Sequence, residues 1–330
     1  MFKSATLRLL AALVAFSLIA AACGDDDDTG DVAAQADDVI DDTQDEEDPA
    51  VEPTTDQVDE TPTAGTVPTP GVEADVTDLS VKPPITVPDG PPPAVLVTND
   101  IVTGAGPVAA SGDFAIMQYV GVSYSTGVEY DASWDRGQPF TFTLGQGQVI
   151  QGWDDGIVGM SPNGRRELTI PPDKAYGEDG SGSGAIGPDE TLIFMVDLIG
   201  VVPADLEKPV VEPPDAPATE LVTTDLVEGE GAEIATGSTV SVHYVGISQS
   251  TGEQFDASWD RGIEQVITFP VGAGQVIPGW DEGLLGMRVG GRREIVIPPD
   301  LAYGENGAGE GVIAPNETLV FVVDLIAISG

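Results

Sequence analysis

In 330 residues there is one cysteine, Cys23, and one histidine, His243. A disulfide within the chain is impossible, and a metal centre built on Cys and His ligands is excluded by count. The first half of the chain has no histidine at all, so a nucleophile activated by a histidine base has no place there. Positive charge is also scarce: 12 Lys and Arg stand against 56 Asp and Glu, a net charge of −44. Nucleic acid needs cationic groups to displace its counterions, and anionic lipid surfaces attract the same groups, so both are excluded as electrostatic partners. Such charge favours solubility and repulsion between copies, and a monomer is expected.

Aromatic residues are missing from residues 24–93, where 21 acidic residues accompany one basic residue, Lys82. A stretch this polar cannot bury enough apolar surface to offset chain entropy and is expected to be disordered. Its end, from Lys82 to Pro93, is rich in proline and is expected to sample polyproline II. About 70 coil residues give a root-mean-square reach of roughly 50 Å.

There is one long apolar run, the 14 residues from Leu9 to Ala22, broken only by Ser17. As a helix it spans about 21 Å, short of the roughly 30 Å hydrocarbon core of a membrane. Lys3 and Arg8 precede it, and Ala20, Ala21 and Ala22 lead to Cys23. This is the pattern of an export signal over residues 1–22. It resembles the lipobox of bacterial lipoproteins, with Ala20 where leucine is usual. That resemblance implies lipidation of Cys23, a membrane partner reached through the lipid, and residues 23–93 as an extracytoplasmic tether.

From there the chain repeats itself at domain scale. Asp-Ala-Ser-Trp-Asp-Arg at 131–136 returns at 256–261. Gly152-Trp153-Asp154 returns as Gly279-Trp280-Asp281, Ile170-Pro171-Pro172-Asp173 as Ile297-Pro298-Pro299-Asp300, and Ala175-Tyr176-Gly177 as Ala302-Tyr303-Gly304. A two-residue insertion between Arg261 and Phe269 accounts for the change in offset. The boundaries that follow are 94–203 and 218–330, joined by 204–217, whose four prolines suggest a semi-rigid spacer. Thr239 to Val245 alternates like a half-buried strand, Glu294 to Ile297 reads as another strand, and Thr318 to Ile328 is a long β-branched run. Trp280 to Met287 has near-helical apolar spacing but is held short by Gly286 and Gly290. Pro298-Pro299 ends a strand, because proline cannot continue a ladder. Each copy is therefore expected to be α+β, an antiparallel sheet with one short helix packed on it. Arg165-Arg166 and Arg292-Arg293 read as solvated charges at strand starts, and His243, matched by Gln118 in the first copy, as a structural strand residue.

The second copy carries His243-Tyr244-x-Gly246, Phe255-Asp256 with Arg261, Val276-Ile277-x-Gly279-Trp280, Ala302-Tyr303-Gly304 and Thr318-Leu319-x-Phe321. This set resembles the FKBP family of peptidyl-prolyl cis/trans isomerases, and the likeness covers both repeats. It implies an antiparallel β half-barrel wrapped on one short helix, around a shallow apolar pocket floored by tryptophan. It assigns the walls of the second pocket to Tyr244, Phe255, Val276, Ile277, Trp280, Ile313 and Phe321. Asp256 and Tyr303 would be polar contacts, and Arg261 would steady Asp256 and Tyr244. Ile267 stands where the family often has phenylalanine. The corresponding first-copy residues are Tyr119, Tyr130, Asp131, Arg136, Phe140, Val149, Ile150, Trp153, Tyr176, Ile186 and Phe194, with Tyr130 replacing a phenylalanine. Its late loop, Gly180 to Gly187, is Gly/Ser-rich and is expected to be mobile. The implied activity is isomerisation of X-Pro bonds in exported polypeptides, without cofactor or metal, and surer in the second domain than in the first. The rival is a non-catalytic peptide-binding module of holdase type.

Overall fold

A computed structural model describes residues 75–329; Cys23 and the export-signal reading lie outside them. In the first domain the strands are β1 (Val97–Val102), β2 (Phe114–Ser123), β3 (Glu129–Ala132), β4 (Phe140–Thr143), β5 (Gly164–Ile170) and β6 (Leu192–Val202), with α1 at Gln151–Gly156. In the second they are β7 (Val222–Val227), β8 (Thr239–Ser248), β9 (Gln254–Ala257), β10 (Ile267–Pro270), β11 (Arg292–Ile297) and β12 (Leu319–Ser329), with α2 at Pro278–Gly283. All pairings are antiparallel. The first sheet runs β1-β5-β6-β2, and β3 and β4 both pair with β2. The second repeats this as β7-β11-β12-β8 with β9 and β10 on β8. This is the expected half-barrel, twice.

Each short helix lies on the concave face of its sheet, and glycine permits the approach. A Cβ on Gly152 would fall 2.3 Å from Ile170 Cγ2, and one on Gly279 would fall 2.3 Å from Ile297 Cγ2. The next residue is the tryptophan, buried at the centre of each core. The third residue of the Gly-Trp-Asp motif ties down the preceding loop. The Asp154 carboxylate accepts from the backbone N–H groups of Gly145 and Gly147 at 2.7 and 2.9 Å, and Asp281 from Gly272 and Gly274 at 2.7 and 3.0 Å.

Four expectations are corrected. Residues 75–93 are not all tether: this segment lies as a strap against the first domain, and Pro83 is buried. Arg165 holds the strap by donating to the carbonyls of Val76, Asp78 and Val81 at 2.8, 3.1 and 3.3 Å. Residues 204–217 are likewise docked rather than a bare spacer, for Val211 packs into a cluster with Val245, Val296 and Val320. Thr239 to Val245 is buried on both faces: Val240, Val242 and Tyr244 face the core, and Ser241, His243 and Val245 are also covered. The paired arginines are not solvated. Arg165 is wholly buried and forms a forked pair with Asp197, Arg166 bonds Asp100, Arg292 bonds Asp324, and Arg293 bonds Asp225. A strap covers Arg165 and Arg292 on the outer face, while Arg166 and Arg293 lie on the inner face and donate to carbonyls at the end of the short helix. Each charge so withdrawn from water needs a carboxylate partner.

The two domains meet through β6 and β12, where Gly200 faces Ala327. Phe114, Ile116 and Val202 of the first domain form a cluster with Ile326, Ile263 and Val266 of the second. Ile263 and Val266 belong to the stretch that carries the two-residue insertion. Its backbone is anchored by His243, whose Nε2 lies 2.7 Å from the Ile263 carbonyl and whose Nδ1 lies 2.9 Å from Ser258 Oγ. The ring also stacks on Trp259 at 4.5 Å.

Burial holds the His243 pKa below its ordinary 6.5, against the Ile263 carbonyl and the charges of Asp324 and Glu264, which raise it; Arg261 lowers it further. The unfolded chain takes up a proton near 6.5 and the folded chain does not. The neutral ring's contribution is therefore complete above 6.5 and is lost as pH falls from there through the depressed folded value. His243→Gln, the residue type of the first domain, should flatten this acid-side loss. The melting temperature of both proteins followed from neutral to mildly acidic pH checks it. Each pH unit by which burial lowers the pKa corresponds to ~1.4 kcal/mol.

Candidate active site

The pockets are built around aromatic rings that meet edge to face. Trp153 lies 4.8 Å from Tyr119, 5.0 Å from Phe194 and 5.7 Å from Phe140, centroid to centroid, and Tyr130 meets Phe194 at 5.8 Å. In the second domain Trp280 lies 5.2 Å from both Tyr244 and Phe321, and Phe255 meets Phe321 at 5.5 Å. Ile267 takes the place of Phe140, so this wall carries one ring fewer. Ile186 and Ile313 are buried in the two cores, and Val149, Ile150, Val276 and Ile277 pack partly exposed against them. Val-Ile precedes the helix directly, and its extended backbone brings both side chains to the helix start.

The polar side of each pocket is a closed cluster. The Tyr119 hydroxyl donates to the Asp131 carboxylate, and Arg136 donates to the Tyr119 oxygen at 2.7 Å and to Asp131. The second copy matches: Tyr244 donates to Asp256, and Arg261 donates to Asp256 at 2.8 Å and to Tyr244 at 3.2 Å. Each guanidinium also lies over its tyrosine ring, at 5.5 and 5.8 Å. Burial first, and the hydrogen bond to the Asp131 carboxylate second, push the Tyr119 hydroxyl up to about 12; Tyr244 is raised by burial and by its hydrogen bond to Asp256. Both phenols stay protonated at neutral pH and act as donors. Tyr176 is 42 % exposed beside the first pocket, and Tyr303 is half-buried beside the second.

Sequence reasoning singled out the repeated six-residue motif without seeing what most of it does. Asp131 and Arg136 are cluster members. Ser133, wholly buried, accepts the backbone N–H of Tyr119 at 2.8 Å, and Ser258 does the same for Tyr244. The motif thereby folds as a short 3-10 turn, Trp134–Arg136 in the first domain and Ser258–Arg261 in the second, that returns the arginine to the cluster. The spacing of Ser133 behind the Asp was the signal available, since a small hydroxyl residue there can bond a neighbouring strand.

A second difference separates the pockets, beside the exchange of Phe140 for Ile267. The Tyr130 hydroxyl is buried and has no hydrogen-bond partner among the described residues, and burial raises its pKa steeply. Phe255 has no such group. The late loop of the first domain is closed at its base by Ser181, which donates its N–H to the Ile186 carbonyl and accepts the Ile186 N–H, both at 2.9 Å.

A family model of FKBP-type peptidyl-prolyl cis-trans isomerase matches residues 106–199 and again 231–326. An FK506-binding protein of Streptomyces anulatus is 57 % identical over 124 residues, 37 % of this chain and 98 % of its own length. A probable FK506-binding protein of Corynebacterium glutamicum is 51 % identical over 123 residues, 37 % of this chain and 99 % of its own. Rat peptidyl-prolyl cis-trans isomerase FKBP9 is 40 % identical over 219 residues, which is 66 % of this chain and 35 % of that protein. The two aromatic pockets, each with its tyrosine–aspartate–arginine cluster, thus lie within the two matched segments, and the chain belongs to the FKBP-type peptidyl-prolyl cis-trans isomerase family, with two such domains in tandem.

Proposed function

We propose that both pockets catalyse rotation about X-Pro bonds in exported polypeptides, the second more effectively than the first. The observation that carries this reading is the duplicated apolar box with a protonated donor set at its edge. Rotation about an X-Pro amide breaks no bond and moves no proton, so the chemistry needs no base, nucleophile or metal. What opposes it is amide resonance, a barrier of about 18–20 kcal/mol for a peptide bond. Resonance separates charge between oxygen and nitrogen, and water stabilises that separation. A proline ring seated on Trp280 between Phe255, Phe321 and Ile277 leaves water behind, which favours the twisted, less polar amide. Tyr303 and the backbone N–H of Ile277 would then hold a substrate carbonyl, with Tyr176 and Ile150 in the same roles in the first pocket.

The first pocket places an unpaired hydroxyl, Tyr130, in its wall. Burying a hydroxyl without a partner is costly, so this pocket favours an occupant that supplies an acceptor. That observation supports a second reading for the first domain alone, client gripping with slower turnover. Export is supported by the apolar run ahead of Cys23, and a lipid on Cys23 would hold the isomerase at the outer side of the cell membrane.

Proline-limited refolding of a client protein tests the activity. The full chain should accelerate the slow phase in proportion to its concentration, and FK506, the ligand in the name of the Streptomyces relative, should inhibit. Trp280→Leu should remove the larger share of the activity and Trp153→Leu the smaller. Tyr130→Phe should raise what remains in the Trp280→Leu background. A folded chain with no effect on the slow phase would leave peptide binding as the function.

A further inference from the structure

The duplication extends beyond the family domains. Lys82-Pro83, Pro88-Asp89 and Pro91 of the first strap return as Lys208-Pro209, Pro214-Asp215 and Pro217, an offset of 126 in every case. Three contacts made by the first strap recur in the second. The Val81 carbonyl accepts from Arg165, and its counterpart on Glu207 accepts from Arg292 at 2.7 Å. The Pro88 carbonyl lies 3.5 Å from the Tyr124 hydroxyl, and the Pro214 carbonyl accepts from Gln249 at 2.9 Å. Lys82 reaches the Asp135 carboxylate at 2.8 Å and Glu129 at 2.7 Å; Lys208 reaches Asp260 at 2.5 Å, where Gln254 replaces Glu129 and also donates to Asp260. The family model begins at residues 106 and 231, after both straps.

The lysine contact falls on a particular residue. Asp135 and Asp260 are the fifth residues of the repeated motif, one place before the arginines that bind the pocket tyrosine and aspartate. The turn is pinned on its inner side by Ser133 or Ser258 on the backbone of that same tyrosine. The strap lysine is its outer anchor. Lys82 holds the Asp135 pKa below the usual carboxylate range, and Lys208 does so first among the causes at Asp260. Side-chain exposure of 60 % at Asp135 and 53 % at Asp260 makes each pair weak as a source of stability. Its effect is then on where the turn sits rather than on whether the domain folds.

We propose that Lys82 and Lys208 are positioning residues for the two pockets, so that each strap is a working part of the domain that follows it. The strap sets the turn, the turn sets Arg136 or Arg261, and the arginine sets the tyrosine and aspartate beside the substrate. The proposal rests on the isomerase reading, and its test separates the two.

The full chain carrying Lys82→Met and Lys208→Met together is compared with wild type and with the Lys→Arg pair. Two readouts are taken: amide hydrogen exchange at 131–137 and 256–262, and kcat and KM for an X-Pro peptide well below the melting temperature. The methionine pair should exchange faster in both segments, lose up to about tenfold in kcat with KM nearly unchanged, and be restored by arginine; a full ångström of misplacement would cost more. Unchanged exchange in both segments overturns the proposal. So does a lowered melting temperature with unaltered kcat, which would make the strap a stabiliser only. If wild type shows no turnover the isomerase reading falls, and exchange alone then decides whether the strap positions the cluster.

Discussion

Replacing Arg165 with methionine should cost the first domain about 3–5 kcal/mol, the loss typical when one member of a buried ion pair is removed. Arg165 has no exposed side-chain surface, and its partner Asp197 is 5 % exposed. The variant would leave that carboxylate in a dry site with no counter-charge. It would also strip the donors from three strap carbonyls at 76, 78 and 81. Urea unfolding of the full chain measures this, read as the earlier of two transitions, because two domains need not unfold as one. Arg165→Met with Asp197→Leu should recover much of the loss, since no buried charge then remains. Arg292→Met should cost the second domain less, because the Arg292 side chain is already 20 % exposed. A cost for Arg165→Met no larger than that of an exposed pair, about 1 kcal/mol or less, would mean that the strap does not keep water from the site.

The second large effect is expected on turnover. Gly121 and Gly246 lie on β2 and β8 beneath the aromatic walls. A Cβ on Gly121 would stand 2.7 Å from the Phe194 ring and 2.8 Å from the Tyr130 oxygen; on Gly246 it would stand 2.6 Å from Phe321 and 2.7 Å from Phe255. Carbon atoms pack best at about 3.5–4.0 Å, so both rings must turn away from the strand and into the pocket. Gly121→Ala with Gly246→Ala should cost each domain about 1–3 kcal/mol as overpacking. The larger consequence is in kcat/KM for an X-Pro peptide, which should fall by about tenfold or more, since the displaced rings occupy the space of the proline. Full activity in a folded double variant would show that proline does not sit against Phe194 and Phe321, and the pocket would need to be redrawn.

These predictions fall on opposite sides of what could be read from the amino-acid order. The pocket was legible because its parts are short motifs, each with locally enforced spacing, that together resemble those of a known family. Gly-Trp-Asp seats a helix and ties down a loop, the six-residue turn returns an arginine to an aspartate five places back, and Val-Ile leads straight into the helix. Duplication then tested each motif against its counterpart, and exposed Tyr130 and Ile267 as the positions where the pockets differ. The straps were misread for a related reason. Lys82 to Pro93 has the composition of a linker, and its repeat in 204–217 is carried by a handful of prolines, one lysine and one aspartate. Its partners lie far away in sequence, at Glu129, Asp135 and Arg165. No local pattern announces such contacts.

Sequence alone determined two α+β domains, because alternation, turn chemistry and motif spacing act over a few residues, and its resemblance to a known family assigned the aromatic boxes and the tyrosine–aspartate–arginine cluster at each box. Tertiary structure alone decided what covers the outer face of each sheet, and with it the burial of Arg165 and His243. Period-two alternation tells which side chains share a face. It cannot tell whether the other face meets water, a strap or the neighbouring domain, since that depends on where distant chain segments come to rest.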